Sequence, residues 1–129
     1  MAAVGVWALF APRSFFTDFP GLGGRWVSAL PPYNEHLVRD VGAFYCAFAV
    51  LFFWIAATLD RIMMRVALIT WLVAAVPHLI FHLYNRGALS SVGFALQTGA
   101  LALLVALPLA LLVAGRRRKG SDFTWARSG

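Results

Sequence analysis

Residues 66–84 read "VALITWLVAAVPHLIFHLY", nineteen positions without one Asp, Glu, Lys or Arg. Coiled as a helix at 1.5 Å per residue, such a run is roughly 28 Å long, close to the thickness of a bilayer's hydrocarbon core. Two more runs match it: "VGAFYCAFAVLFFWIAATL" at 41–59 and "VGFALQTGALALLVALPLALLVA" at 92–114. The joins between them, "DRIMMR" at 60–65 and "NRGALSS" at 85–91, are short, which makes consecutive helices antiparallel neighbours. The fold class that follows is all-α: an integral membrane four-helix bundle with an incomplete or short first helix. Its helices are expected at about 2–11, 35–59, 66–84 and 92–114, in one membrane domain 1–115 with a basic cytoplasmic tail at 116–129.

Composition agrees. The 129 residues are 61% hydrophobic and 12% charged, with a mean hydropathy of +0.78. Soluble domains carry about 25% charged residues, and a small domain cannot hide so much apolar surface from water. The +6 net charge is mostly local, since the segment 115–129 holds five basic residues and one acid. A basic segment set directly against a span suits anionic lipid headgroups, and nucleic acid is not expected as a partner. The lone Cys46 excludes an internal disulfide and any CxxC motif.

The N-terminal run "MAAVGVWALFA" is apolar for eleven residues before Pro12, about half a crossing. Three readings remain open: a short or tilted helix, an interfacial helix, or a helix that starts upstream of Met1. Residues 12–34 read as the one long loop, with Gly21, Gly23, Gly24 and Pro31–Pro32 as breakers. Its aromatics Phe15, Phe16, Phe19, Trp26 and Tyr33 suit a headgroup layer. Asn34 is placed to cap the next helix.

Orientation follows from the basic residues. The 60–65 loop and the tail hold seven, while the 12–40 and 85–91 segments hold four, Arg13, Arg25, Arg39 and Arg86. The positive-inside rule then puts the C-terminus in the cytoplasm of a cell with this protein in its inner (plasma) membrane. His82 falls near the outer interface and His78 one turn deeper, roughly 6 Å further in. His36 and Asp40 enter from the same side, and Gln97 and Thr98 begin the last helix there. These six polar side chains are expected to converge on one outer layer, with Tyr84 beside them. Pro77 should kink the helix just before His78. Small residues at Ala95, Gly99, Ala102, Ala106 and Ala110, and at Gly42, Ala43, Cys46 and Ala47, read as seams for close helix packing. Phe44, Phe48, Phe52, Phe53 and Trp54 read as core or lipid-facing bulk.

The candidate ligand-binding residues are therefore His36, Asp40, His78, His82, Tyr84 and Gln97. His78 and His82, spaced i,i+4, could offer two metal ligands on one face, but a site needs a third. The Glu that a zincin places after its first His is Leu79 here, and three histidines cannot fill a di-iron desaturase site. No metal is expected. A bis-His haem would pair His78 with His36.

The helix order, with "WALFAPRSFF" (7–16), "NEHLVRDVGAFYCAFAVLF" (34–52) and "VPHLIFH" (76–82), resembles small bacterial membrane proteins of the DoxX-like kind. The resemblance spans residues 1–114 and implies a four-helix bundle. Some such proteins are linked with quinone-dependent sulfur oxidation or with membrane thiol-redox complexes. Three functions stay in competition: a non-enzymatic subunit or small-ligand-binding bundle, a redox component holding a quinone or haem, and a lipid-modifying enzyme using His36 and Asp40 as acid and base.

Overall fold

The computed structural model describes the backbone of residues 1–125 and the side chains of residues 1–115. The side chains of the basic tail 116–129 fall outside the described residues. The chain forms α1 (Ala2–Phe10), α2 (Pro12–Asp18), α3 (Glu35–Thr58), α4 (Arg61–Tyr84) and α5 (Ser91–Trp125), with no strand among the described residues. Three helices are long and apolar enough to cross a membrane: Glu35–Thr58, Arg61–Tyr84 and the Ser91–Gly115 part of α5. Only 11%, 28% and 6% of their most apolar windows are buried inside the protein. So much bare hydrocarbon is stable only where lipid, not water, is the solvent.

Local chemistry sets the ends. Asn34 accepts the Leu37 N–H at 3.1 Å, as expected of its N-cap position. Asp60 Oδ1 accepts the N–H groups of Ile62 and Met63 at 2.8 and 2.9 Å, so α4 begins at Arg61, five residues before its apolar run. The join 60–65 thereby shrinks to the Leu59–Asp60 corner, with Leu59 in the left-handed region at φ 53°. The segment 12–34 is likewise not all loop. Pro12 opens α2, where its missing N–H costs nothing, and Phe15 is buried in a small core with Ala8 and Val38. Phe15 is thus core and not headgroup-layer decoration.

α1 runs antiparallel to α3. A Cβ at Gly5 would lie 2.8 Å from the backbone N and the Sγ of Cys46, and one at Gly42 would lie 2.5 Å from the Leu9 N. The backbones therefore meet over two glycines, which is how helices approach closely in lipid. Arg39 closes the far end of the contact. Its guanidinium takes both donors to Glu35 Oε1, at 2.9 and 2.8 Å, and gives a third N–H to the Leu9 carbonyl, one of α1's terminal orphans.

α4 and α5 are also antiparallel, joined by Arg65 to the Gly115 carbonyl at 3.1 Å and by Trp71 Nε1 to the Leu104 carbonyl at 2.9 Å. The second bond has a clear cause. Pro108 has no N–H to give the carbonyl four residues earlier, and the indole supplies the missing donor. Trp71 also takes edge-on contacts from Tyr45, Phe48 and Phe52, with centroids 6.0, 5.4 and 6.5 Å away, and so ties α3 to the pair. Phe44, Phe53 and Trp54 point outward.

The small-residue seams divide. Gly42 and Cys46 meet α1, while Ala43 and Ala47 are exposed. Ala95, Gly99, Ala102, Ala106 and Ala110 do not form a seam: all are exposed, and nothing lies within 4 Å of a Cβ built on Gly99. α5 turns Gln97 and Pro108 inward, where the Gln97 amide reaches the Trp26 carbonyl and the Trp71 donor meets the Leu104 backbone carbonyl.

Candidate functional site

The end of the assembly that carries Glu35, Tyr84 and Ser91 is covered by the segment from Phe19 to Leu30. Its backbone folds on itself through Trp26 N–H to the Phe19 carbonyl at 2.9 Å, and joins the α4–α5 corner through Ala88 N–H to the Ala29 carbonyl at 3.1 Å. Gly87 permits that junction. It holds φ +58°, and any Cβ there would strike the Ala29 carbonyl oxygen.

Beneath this cover lie the two buried polar side chains of the described residues, His82 (7% exposed) on α4 and Gln97 (5%) on α5. They stand beside each other across the seam. Gln97 Nε2 donates to the Trp26 carbonyl at 3.4 Å, and because a carbonyl can only accept, that contact sets the amide's orientation. Three buried atoms, His82 Nδ1, Gln97 Oε1 and Thr98 Oγ1, make no hydrogen bond of good geometry, although the His82 ring and the Gln97 amide are close enough to bond to each other. Leaving such atoms unpaired costs roughly 1–3 kcal/mol apiece, so most buried polar groups in native proteins have partners. Here the three belong to His82 on α4 and to the adjacent Gln97 and Thr98 on α5.

His78 lies one turn deeper, edge-on to His82 at 4.7 Å between ring centroids, and its residue is exposed. The other three sequence candidates do not join them. His36 Nδ1 and Asp40 Oδ2 are 2.8 Å apart, with 84% and 51% of their side chains exposed. Tyr84 is 85% exposed. Of the expected six-residue layer drawn from three helices, the structure brings together His82 and Gln97 on two helices, with His78 at the edge and Thr98 next in sequence to Gln97. The reason is local. A His and an Asp at i,i+4 satisfy each other on the outside of α3, while α1 covers that helix's Val38–Gly42 face. The His36–Asp40 pair can orient an imidazole for base catalysis, but in the open, water competes for both groups. Among the described residues no three His, Cys, Asp or Glu side chains stand together as metal ligands would.

Two contributors escape a reading of the sequence. The Trp26 carbonyl comes from a loop whose path no periodicity encodes. Trp71 carried a usable signal: a lone indole donor at the depth of a carbonyl that Pro108 frees. With the geometry in hand, the class is an all-helical protein with three membrane-length helices and a polar seam. No protein-family model, curated protein or solved structure matches this chain.

Proposed function

We propose that this protein is a non-enzymatic, multi-pass protein of the inner membrane that binds a small ligand in the outer half of its α4/α5 seam. The observation that carries this reading is the trio of unpartnered buried atoms, His82 Nδ1, Gln97 Oε1 and Thr98 Oγ1. A bound group that makes their hydrogen bonds relieves the cost of burying them. In this reading the assembly is a four-helix bundle of the DoxX-like bacterial kind, with α1 as its short fourth member against α3. The C-terminus is cytoplasmic, by the excess of basic residues in 61–65 and 116–119. The "RRRK" run at 116–119 then meets anionic lipid of the inner leaflet.

The test is to purify the protein from native membranes, extract it with organic solvent and compare the extract by mass spectrometry with those of Thr98→Val and His82→Leu. A species that accompanies the wild type and is depleted in both variants is the expected result. Identical extracts from all three proteins would remove the basis of the reading. A visible absorbance spectrum of the same preparation reports haem directly.

A further inference from the structure

We infer that a second copy of this chain docks on the exposed face of α4 between Thr70 and Phe81, the His78 imidazole of each copy donating to the Val73 carbonyl of the other. This face is separate from the α4/α5 seam and owes nothing to a ligand there.

A proline inside a span leaves the carbonyl four residues earlier without its helical donor. Pro108 on α5 and Pro77 on α4 do this to Leu104 and Val73. The Leu104 carbonyl is served within the chain, by Trp71 Nε1 at 2.9 Å. The Val73 carbonyl is not. The other side chains of α4 and its cap that donate to a carbonyl, Arg65 and Asn85, go to Gly115 and Phe81. With no water at that depth, a backbone carbonyl still requires a donor. Val73 is 71% exposed and Pro77 is exposed beside it, so the donor comes from outside the chain.

His78 is the matching donor. It is exposed about 9 Å inside the Tyr84 end of α4, and its ring meets His82 edge-on but bonds to none of the described residues. Helical side chains slope toward the helix N-terminus, so this imidazole leans away from the Tyr84 end and cannot rise to the headgroups there. At 100° per residue, Thr70, Ala74, Pro77, His78 and Phe81 lie within an arc of about 100°, and all are exposed. The imidazole flanks one side of this face and the orphan carbonyl the other. Ala74 stands between them, where its lack of bulk lets another helix close in.

Symmetry selects a second copy as the occupant. Copies inserted the same way are related by a two-fold axis along the membrane normal, so their α4 helices run parallel and groups of equal depth face each other. Val73 and His78 are five residues apart, about 7.5 Å along the axis. A helix carbonyl points toward the C-terminus while the imidazole slopes back toward the N-terminus, so the two groups on facing helices close on one level. Each copy then offers one donor and one acceptor, and a two-fold pairing uses both twice, as an isologous interface requires. Thr70, two turns below His78, both donates and accepts, so it meets its own counterpart without penalty. Acyl chains supply no donor and leave both polar groups bare.

The experiment places the full chain in liposomes at falling protein-to-lipid ratios and reads the dimer fraction by energy transfer between two populations labelled at the C-terminus. Disulfide trapping in native membranes locates the interface. In a Cys46→Ala background, Ala74→Cys should cross-link to itself under a mild oxidant, and Gly99→Cys, on the exposed face of α5, should not. His78→Leu should weaken the dimer about tenfold or more, because two hydrogen bonds within the membrane are lost at once. Pro77→Ala restores the amide that serves Val73, so it too should weaken the dimer, and adding His78→Leu to it should change little further. Far-UV circular dichroism of each variant, expected to match the wild type, separates a lost interface from a lost fold. A wild type that stays monomeric at every ratio overturns the inference. So does trapping through Gly99→Cys in place of Ala74→Cys, a dimer untouched by His78→Leu, or an equal loss from His78→Leu with and without Pro77→Ala.

Discussion

Replacing Gly42 by alanine should drive α1 off α3, although the same change stabilises an isolated helix. The new methyl would stand 2.5 Å from the Leu9 N, 2.9 Å from the Gly5 carbonyl oxygen and 2.9 Å from the Leu9 Cα. All three are backbone atoms, so no side chain can swing aside. To reach ordinary contact at 3.4 Å, α1 must retreat by about 0.9 Å. Overpacking of this kind costs roughly 1–3 kcal/mol. The retreat also stretches the bond from Arg39 to the Leu9 carbonyl, whose contribution is reduced because the Arg39 side chain is 43% exposed. Against this stands a gain of about 0.5–1 kcal/mol from removing a glycine from a helix. Before the Arg39 bond is counted, the net is a loss of up to about 2.5 kcal/mol. Cys46 reports it without added probes, being the chain's one cysteine and lying under Gly5. Where thiol labelling proceeds through departure of α1, the rate should rise by up to roughly 70-fold. Gly99→Ala is the control: its methyl meets nothing within 4 Å, so Cys46 labelling should not change. An unchanged labelling rate and unchanged thermal stability in Gly42→Ala would refute the close α1/α3 packing.

Other outcomes follow from the same geometry. Trp71→Phe removes the donor to the Leu104 carbonyl and should lower thermal stability by about 0.6–2 kcal/mol. In a Pro108→Ala background the restored amide at 108 serves that carbonyl and the loss should shrink; equal losses in both backgrounds would deny the Pro108 explanation. Thr98→Val exchanges an unpartnered hydroxyl for a methyl, so lipid-stripped protein should gain about 1 kcal/mol in unfolding even as ligand retention falls. A loss of stability would mean that the hydroxyl already has a partner. In a Cys46→Ala background, Ser90→Cys should react with an impermeant maleimide in intact cells and Arg61→Cys only after permeabilisation. The reverse pattern inverts the proposed orientation.

The sites differ in how far they could be read from residues. Asn34 was legible as a cap because an Asn before a helical run has a local role. Asp60 has the same role, yet hydropathy alone hid it, since the start of an apolar run is not the start of a helix. The site was legible in part. That Gln97 meets the histidines of α4 follows from antiparallel spans of known depth, although depth set it level with His78 and the structure places it beside His82. The outward placement of His36, Asp40 and Tyr84 does not, because depth says nothing about direction around a helix.

Length and hydropathy by themselves determined an all-helical chain with three spans, their order and their short joins, because each depends only on neighbours along the chain. Which face of each helix turns inward was decided by the tertiary structure alone. In a soluble helix the apolar stripe marks the buried side, but a span in lipid is apolar all round and carries no such mark. Hence Ala95 and Gly99 face out although they look like a seam, and Gln97 and Pro108 face in. His78 and His82 separate for the same reason. Four residues advance a helix by 400°, leaving the rings about 40° apart, and a seam narrow enough to bury one of them leaves the other at its edge.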